Sequence, residues 1–191
     1  MKSKEYETLK TRKRYDIVYI DPPWDYGTQS HAMHKTPYPT MTEEELIGMH
    51  RDIKRITKPR SLMYMWVPSS MIPTAIRIAE AWRFKYKTIG FVWDKQARQP
   101  GHHTVSQCEV CLIFRRGRKD PTGRGSVVER QFVSELRREH SRKPDSVRDS
   151  ITKMWPTADK IEIFARTQTP GWDVWGNETD KFESPEPTQL F

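Results

Sequence analysis

Asp21-Pro22-Pro23-Trp24 is the stretch of this chain whose residue types and order offer chemistry. An exocyclic amine on a nucleobase is a poor nucleophile because its lone pair is delocalised into the ring. Two hydrogen-bond acceptors aimed at its two N–H bonds help the nitrogen become pyramidal. The Asp21 carboxylate is one such acceptor, and the Pro22 carbonyl, with no ladder partner and held by the stiff Pro22-Pro23 unit, is the second. Trp24 has a flat apolar face on which a base swung out of its helix would stack.

The element that must position these groups is the run before them. Tyr15-Asp16-Ile17-Val18-Tyr19-Ile20 is β-branched and aromatic, which predicts a strand, and Pro22 and Pro23 stop it by removing consecutive N–H donors. In an open α/β sheet the carboxyl ends of the strands form the ligand-binding edge, so Asp21 is expected in that crevice. Thr42-Glu43-Glu44-Glu45 has the spacing of a capping box, and Leu46, Met49, Ile53 and Ile56 trace one apolar face, predicting a helix that ends before Pro59. Ser61 to Val67 reads as a buried strand. Ser70 is expected to cap a helix with Ile72, Ala75, Ile76, Ala79 and Trp82 inside, and Tyr86 to Trp93 is the next strand. This strand-helix-strand unit argues for a parallel sheet. Residues 25–41 and 94–104 read as irregular loops, the second positively charged, which could clamp a nucleic-acid strand between them.

Four stretches in the same order resemble the N6-adenine methyltransferases with the Asp-Pro-Pro-Trp motif. That family includes the catalytic subunit of the eukaryotic messenger-RNA adenine methylase and bacterial and phage DNA-methylating relatives. Besides residues 21–24, the stretches are His140-Ser141-Arg142-Lys143-Pro144-Asp145, Lys160-Ile161-Glu162-Ile163-Phe164-Ala165-Arg166, and Gly176-Asn177-Glu178. The resemblance covers about residues 15 to 178. It implies that Lys143, at the entrance of a helix with Val147, Ile151, Met154 and Trp155 buried, pairs with the carboxylate of S-adenosylmethionine. It implies that Asn177 and Glu178 bind the cofactor's ribose hydroxyls, that Arg166 lies near the cofactor at the end of a strand, and that Asp21 borders it. Tyr38, in a gate over the base, and Glu109, on the strand Val105 to Arg115, are implied near the substrate. No G-x-G-x-x-G occurs, which counts against a dinucleotide enzyme and fits a permuted order in which the catalytic motif precedes the cofactor motif.

Charge sets the class of partner. Lys plus Arg number 33 against 25 acidic residues, a net charge of +8, which favours a polyanion. Between Arg115 and Lys143 ten basic residues face four acidic ones, and Arg115, Arg116, Arg118, Lys119 and Arg124 are read as the leading nucleic-acid footprint, at a turn between two strands. Residues 1–14 form a short basic arm and 179–191 an acidic, flexible tail. His31 and His34 lack accompanying ligands, and Cys108 and Cys111 on one strand face opposite sides, so no metal site is expected from them with His102 and His103, and the thiols are expected free. No apolar run reaches the ~20 residues of a membrane span and no signal peptide opens the chain, so a cytoplasmic protein is expected.

The expected fold is a single α/β, Rossmann-like S-adenosylmethionine-dependent methyltransferase domain over 15–178, with a mostly parallel sheet flanked by helices. The expected reaction is methyl transfer to the N6 amine of adenine. Asp21, Pro22, Pro23 and Trp24 carry catalysis, Trp24, Tyr38 and Glu109 hold substrate, and Asp21, Lys143, Arg166, Asn177 and Glu178 hold the cofactor. DNA is preferred over RNA as substrate because the chain is compact. An RNA methyltransferase, or a non-catalytic nucleic-acid-binding member of the fold, are the alternatives. The reading requires the Asp21 carboxylate to face the crevice, with Lys143 and Asn177 near it.

Overall fold

The structure is a computed structural model and describes residues 9–25, 39–99, 103–139 and 142–182, with nothing said of the side chains of 98 and 99. Strand β1 (Tyr15–Ile20) is followed by helices α1 (Glu43–Gly48) and α2 (His50–Ile56), strand β2 (Thr57–Val67) and helix α3 (Ile72–Ala81). Strands β3 (Lys85–Gln99), β4 (Ser106–Arg116) and β5 (Phe132–Ser134), helix α4 (Asp145–Met154), and strands β6 (Lys160–Ile163) and β7 (Asp173–Trp175) complete the order. The seven strands form one sheet in the order β5-β3-β4-β2-β1-β6-β7. β1, β2, β6 and β7 pair in parallel, as do β3 and β5, whereas β4 runs antiparallel to both of its neighbours.

The strand-helix-strand unit inferred from the sequence is present, but its two strands do not touch. The chain returns from β3 directly into β4, which inserts antiparallel between β3 and β2. β1 has β2 on one side and β6 on the other, so the connections leave it in opposite directions. That reversal is the topological switch point at which open α/β sheets bind ligands.

Alternation along the strands divides the core into two layers. Val18, Ile20, Met63, Met65, Ile161 and Ile163 point to the face covered by α1, α2 and α3. Ile17, Tyr19, Tyr64, Trp66, Phe91, Trp93 and Cys111 point to the face covered by α4, where Val147, Ile151 and Trp155 meet them. The second layer is rich in aromatic rings whose polar tips are satisfied. Trp66 Nε1 donates to Tyr19 Oη at 2.6 Å and Trp155 Nε1 to Tyr64 Oη at 3.0 Å.

Several element boundaries differ from expectation. The capping box at Thr42 forms with both reciprocal bonds, but the helix breaks into α1 and α2 after Gly48, a residue that costs about 1 kcal/mol in a helix interior. Ser70 does not cap α3. It lies in a short 3-10 turn, Ser69–Met71, tied by the Met71 N–H to the Pro68 carbonyl at 2.8 Å, and α3 starts at Ile72 with Pro73 in its first turn. β3 continues through Gln99, because its backbone finds partners in β4 and in the segment after β5, so 94–99 is strand rather than loop. β6 ends at Ile163, since Phe164 adopts φ 61° and turns the chain.

Of the basic arm, residues 9–14 are described and lie against the body. Leu9 is buried, the Arg55 guanidinium donates to the Leu9 and Thr11 carbonyls, and Lys13 Nζ sits 2.9 Å from Asp173. Among the described residues no helix is long and apolar enough to cross a membrane.

Candidate active site

Strand parity assembles the site. Ile17, Tyr19 and Asp21 share the α4 face of β1, and Phe91, Trp93 and Lys95 share the same face of β3. Across the β3–β4 ladder Glu109 pairs with Trp93, which brings Glu109 to that face as well. Lys143 lies just before α4, the helix packed there, so its ammonium is delivered over the end of β1. Lys143 Nζ stands 2.8 Å from Asp21 Oδ2 and 3.3 Å from Glu109 Oε2, and Lys95 Nζ stands 3.3 Å from Glu109 Oε1. The result is a row of alternating charges, Asp21, Lys143, Glu109, Lys95, at the carboxyl edge of the sheet.

The four groups are unequal electrostatically. Burial pushes the Asp21 carboxyl above its ordinary range, and the negative Glu109 adds to this, while Lys143 and Arg166 oppose it. Glu109 is also penalised by burial, but Lys143 and Lys95 together outweigh that and hold it below its ordinary range. Burial alone would lower Lys143, yet Asp21 and Glu109 raise it well above a free lysine. Burial thus disfavours the charge on Asp21, while the two lysines favour the charge on Glu109.

Asp21 is engaged by a salt bridge without being sealed away. A quarter of its side chain, 26%, stays exposed, and its partner is the lysine expected at the site. An ammonium has three N–H donors. With two directed at Asp21 and Glu109, one remains for a further carboxylate, so Lys143 fits the amino-acid end of S-adenosylmethionine.

The remaining cofactor candidates arrive by register. Ile20 pairs with Ile163, and Ile163 pairs with Trp175, so the residues leaving β1, β6 and β7 emerge side by side. Arg166 follows β6 and Glu178 follows β7, and Arg166 Nε lies 3.1 Å from Glu178 Oε2. Asn177 is exposed at this edge. Between them Gly176 packs backbone to backbone on Ala165: an added Cβ would lie 2.5 Å from the Ala165 carbonyl oxygen. Only glycine lets Asn177 and Glu178 come in so close. The donor set of a carboxylate, an amide, a guanidinium and an ammonium suits a ligand carrying both an amino acid and a vicinal diol.

Beneath this row Glu162 of β6 accepts from Arg148 Nε of α4 at 2.8 Å, and Arg148 also approaches Asp145 at 3.3 Å. This buried pair ties α4 to the sheet directly below Lys143.

The proline-rich motif differs in detail from its sequence reading. Trp24 is 5% exposed, lies in the core and donates its indole N–H to the Trp66 carbonyl at 3.2 Å. Its ring therefore fixes the turn and offers no open face to a base in this structure. The Pro22 carbonyl is not without a partner either, for it accepts the Trp24 N–H at 2.8 Å. A carbonyl has two lone pairs, so one acceptor position remains. The Pro23 carbonyl is taken by Met41 N–H, also at 2.8 Å. Tyr38, His31, His34 and His102 lie outside the described residues.

The largest correction concerns the footprint at 115–124. Arg116 and Arg115 pair with Ser61 and Leu62 at the start of β2, which is the edge opposite Asp21. There Arg116 donates to Thr57, Arg115 reaches Asp120 at 3.3 Å, and the Arg124 guanidinium lies 5.2 Å from the Trp155 ring. These cations hold the far end of the sheet together and do not flank the site. Lys95 was overlooked as a site residue. Its signal was parity with Phe91 and Trp93, readable once β3 is extended past Trp93. Cys108 and Cys111 are free thiols, and among the described residues no cluster of three or more metal-ligating side chains occurs.

Known proteins resemble this chain along most of its length. The MT-A70 family model matches residues 15–178. Type II methyltransferase M.MunI from Mycoplasma sp is 40% identical over 197 residues, covering 93% of this chain and 83% of that protein. The N(6)-adenosine-methyltransferase MT-A70-like protein of Arabidopsis thaliana is 26% identical, covering 86% of this chain and 24% of its own length. The N(6)-adenosine-methyltransferase catalytic subunit METTL3 of Homo sapiens is 24% identical, covering 91% of this chain and 30% of its own length. This chain thus spans most of the first and under a third of the plant and human proteins.

Proposed function

The chain belongs to the MT-A70 family and is an adenine-N6 methyltransferase, and from that premise we propose that it takes a methyl group from S-adenosylmethionine and places it on adenine in DNA. The observation that carries this reading is Asp21, at the carboxyl end of β1, held by Lys143 with a quarter of its side chain still open to solvent. Likeness to a type II methyltransferase at 40% identity over most of that protein's length favours DNA over RNA. With DNA as its substrate the protein would work in the cytoplasm.

S-adenosylmethionine, when bound, supplies a methyl carbon on a positively charged sulfur, a leaving group that departs as a neutral thioether. Lys143 and Arg166 would hold its carboxylate, and Asn177 and Glu178 its ribose hydroxyls. The protein's own work is on the amine. Asp21 accepts one N–H of the adenine N6, and the free lone pair of the Pro22 carbonyl accepts the other, drawing the nitrogen toward a tetrahedral shape. Lys143 keeps Asp21 ionised for this purpose. As the new N–C bond forms the nitrogen becomes cationic and sheds one proton, which the Asp21 carboxylate, already pushed upward by burial, takes and passes to water. Glu109 and Lys95 hold Lys143 from its other side, so the ammonium cannot swing away with the substrate.

Incubating the protein with methyl-labelled S-adenosylmethionine and matched duplex DNA, single-stranded DNA and RNA, then digesting to nucleosides, tests the reading. N6-methyladenosine from RNA alone would refute the choice of DNA. Donor binding with no methylated base on any substrate would refute the enzymatic reading and leave a binding protein.

A further inference from the structure

We propose that the β3–β4 ribbon beyond the sheet reads target sequence by entering the major groove of B-form DNA beside the adenine being methylated. The inference rests on the proposed DNA substrate and adds the element that chooses the site. β2 ends at Val67, which pairs with Val110, so Ser106 to Glu109 of β4 continue past it. Four residues at ~3.3 Å each carry the ribbon about 13 Å beyond the neighbouring strand. It stands on the same sheet edge as Asp21.

The outer half of this extension is open on both faces, while Cys108 and Glu109 nearer the sheet are partly covered. Ser106 and Gln107 are consecutive on a strand and point to opposite sides, yet both are exposed, and Val105 before them is 59% exposed. Within the sheet the same strand buries Cys111 and Leu112 completely or nearly so. β5 and the segment after it flank β3 as far as Lys95, and beyond that the described ribbon is two-stranded. A two-stranded ribbon has the dimensions that the major groove of B-form DNA admits, whereas the deep, narrow major groove of an RNA helix does not.

The ribbon is also aimed and braced. Between the pairs Asp94 with Cys108 and Gln99 with Ser106, β3 spends five residue steps where β4 spends two, and Gln96 within that bulge has φ 52°. Bulges bend a strand and turn its side chains in a new direction. The Asp94 carboxylate locks this one by accepting from the Gln96 backbone N–H and from Gln107 Nε2, each at 2.9 Å. That leaves Gln107 with one amide N–H and its carbonyl oxygen for a base edge, and glutamine pairs well with adenine. It also turns the carboxylate toward internal donors rather than toward phosphates. At the base of the ribbon Lys95 binds Glu109, which binds Lys143, so the ribbon is fixed rigidly to the catalytic row.

The test is methylation of a duplex library with random bases flanking a single adenine, followed by sequencing of the methylated fraction, for the wild-type protein and Ser106→Ala/Gln107→Ala. The wild type should select particular bases at one or more flanking positions. In the variant, discrimination at those positions should fall about 5- to 100-fold, with the affinity for S-adenosylmethionine unchanged. The single variant Ser106→Ala, which leaves the Asp94 clamp intact, should lose part of the same preference. An unchanged preference in all variants, or a uniform drop in rate across all sequences, overturns the proposal. A wild type that methylates adenine in DNA without any flanking preference overturns it too while leaving the enzymatic reading standing. A wild type that forms no N6-methyladenine in DNA removes the reading beneath it.

Discussion

Replacing Lys143 by methionine removes the cation that Asp21 and Glu109 share while keeping an apolar stem of similar length. At the observed 2.8 Å, two unit charges attract by about 6 kcal/mol for an effective dielectric of ~20. That figure is a ceiling, because 26% of the Asp21 side chain and 14% of Lys143 face screening water. One opposite charge at such range moves a carboxyl by about 1–3 pKa units. The sign follows from the causes acting on Asp21. Burial already raises it, Glu109 raises it further, and Lys143 is the largest opposing influence. Without Lys143 the carboxyl rises again, so its ionised, amine-accepting form is lost at a higher pH as the solution is acidified. Turnover at saturating S-adenosylmethionine, followed from pH 5 to 10 by label transfer to duplex DNA, should show an acid limb displaced upward by about 1–3 pH units, with activity partly restored at alkaline pH. An acid limb that stays in place, with only a raised KM for the donor, would refute the reasoning. It would mean that the lysine seats the cofactor and does not govern Asp21.

Other expectations are as specific. Arg148→Met leaves Glu162 charged and unpaired beneath the site and should destabilise the protein by about 3–5 kcal/mol in denaturant melts; pairing it with Glu162→Leu should recover most of that loss. Gly176→Ala forces a Cβ against the Ala165 carbonyl, and calorimetry should show S-adenosylmethionine affinity weakened at least ~10-fold, a displacement worth about 1.4 kcal/mol, in a protein that still folds. Trp24→Ala empties a core position and should cost about 3–5 kcal/mol of stability. Because the ring is buried, the variant's lost activity should track its thermal midpoint rather than a raised KM for DNA; a raised KM with an unchanged midpoint would restore the stacking role.

What the sequence made legible was local. Tyr15 to Ile20 is a strand by composition, two prolines must end it, and parity then fixes the face to which Asp21 points. Lys143 and Glu109 were found by resemblance, and their meeting over Asp21 follows from α4 covering that face. Less legible were features set by pairing between distant segments. Nothing near Val105 to Arg115 announces that β4 inserts antiparallel between β2 and β3, and that insertion sends Arg115 and Arg116 to the far edge of the sheet. The same pairing extends β3 through Gln99, turning what read as a charged loop into a ribbon and making Lys95 a partner of Glu109. Trp24 misled for a different reason: an aromatic after a proline turn has the same composition whether it faces a ligand or the core, and the Trp66 carbonyl that takes its N–H is more than forty residues away.

The central claim is that the Asp21 carboxylate activates the adenine amine, and the Asp21→Ala variant tests it most directly. Wild type and variant are compared for S-adenosylmethionine binding, thermal midpoint and N6-methyladenine formed in duplex DNA by mass analysis of nucleosides. The account predicts a variant that folds and still binds the donor but forms no detectable N6-methyladenine in a time over which the wild type modifies its substrate fully. Methylation by Asp21→Ala at the wild-type rate would contradict it.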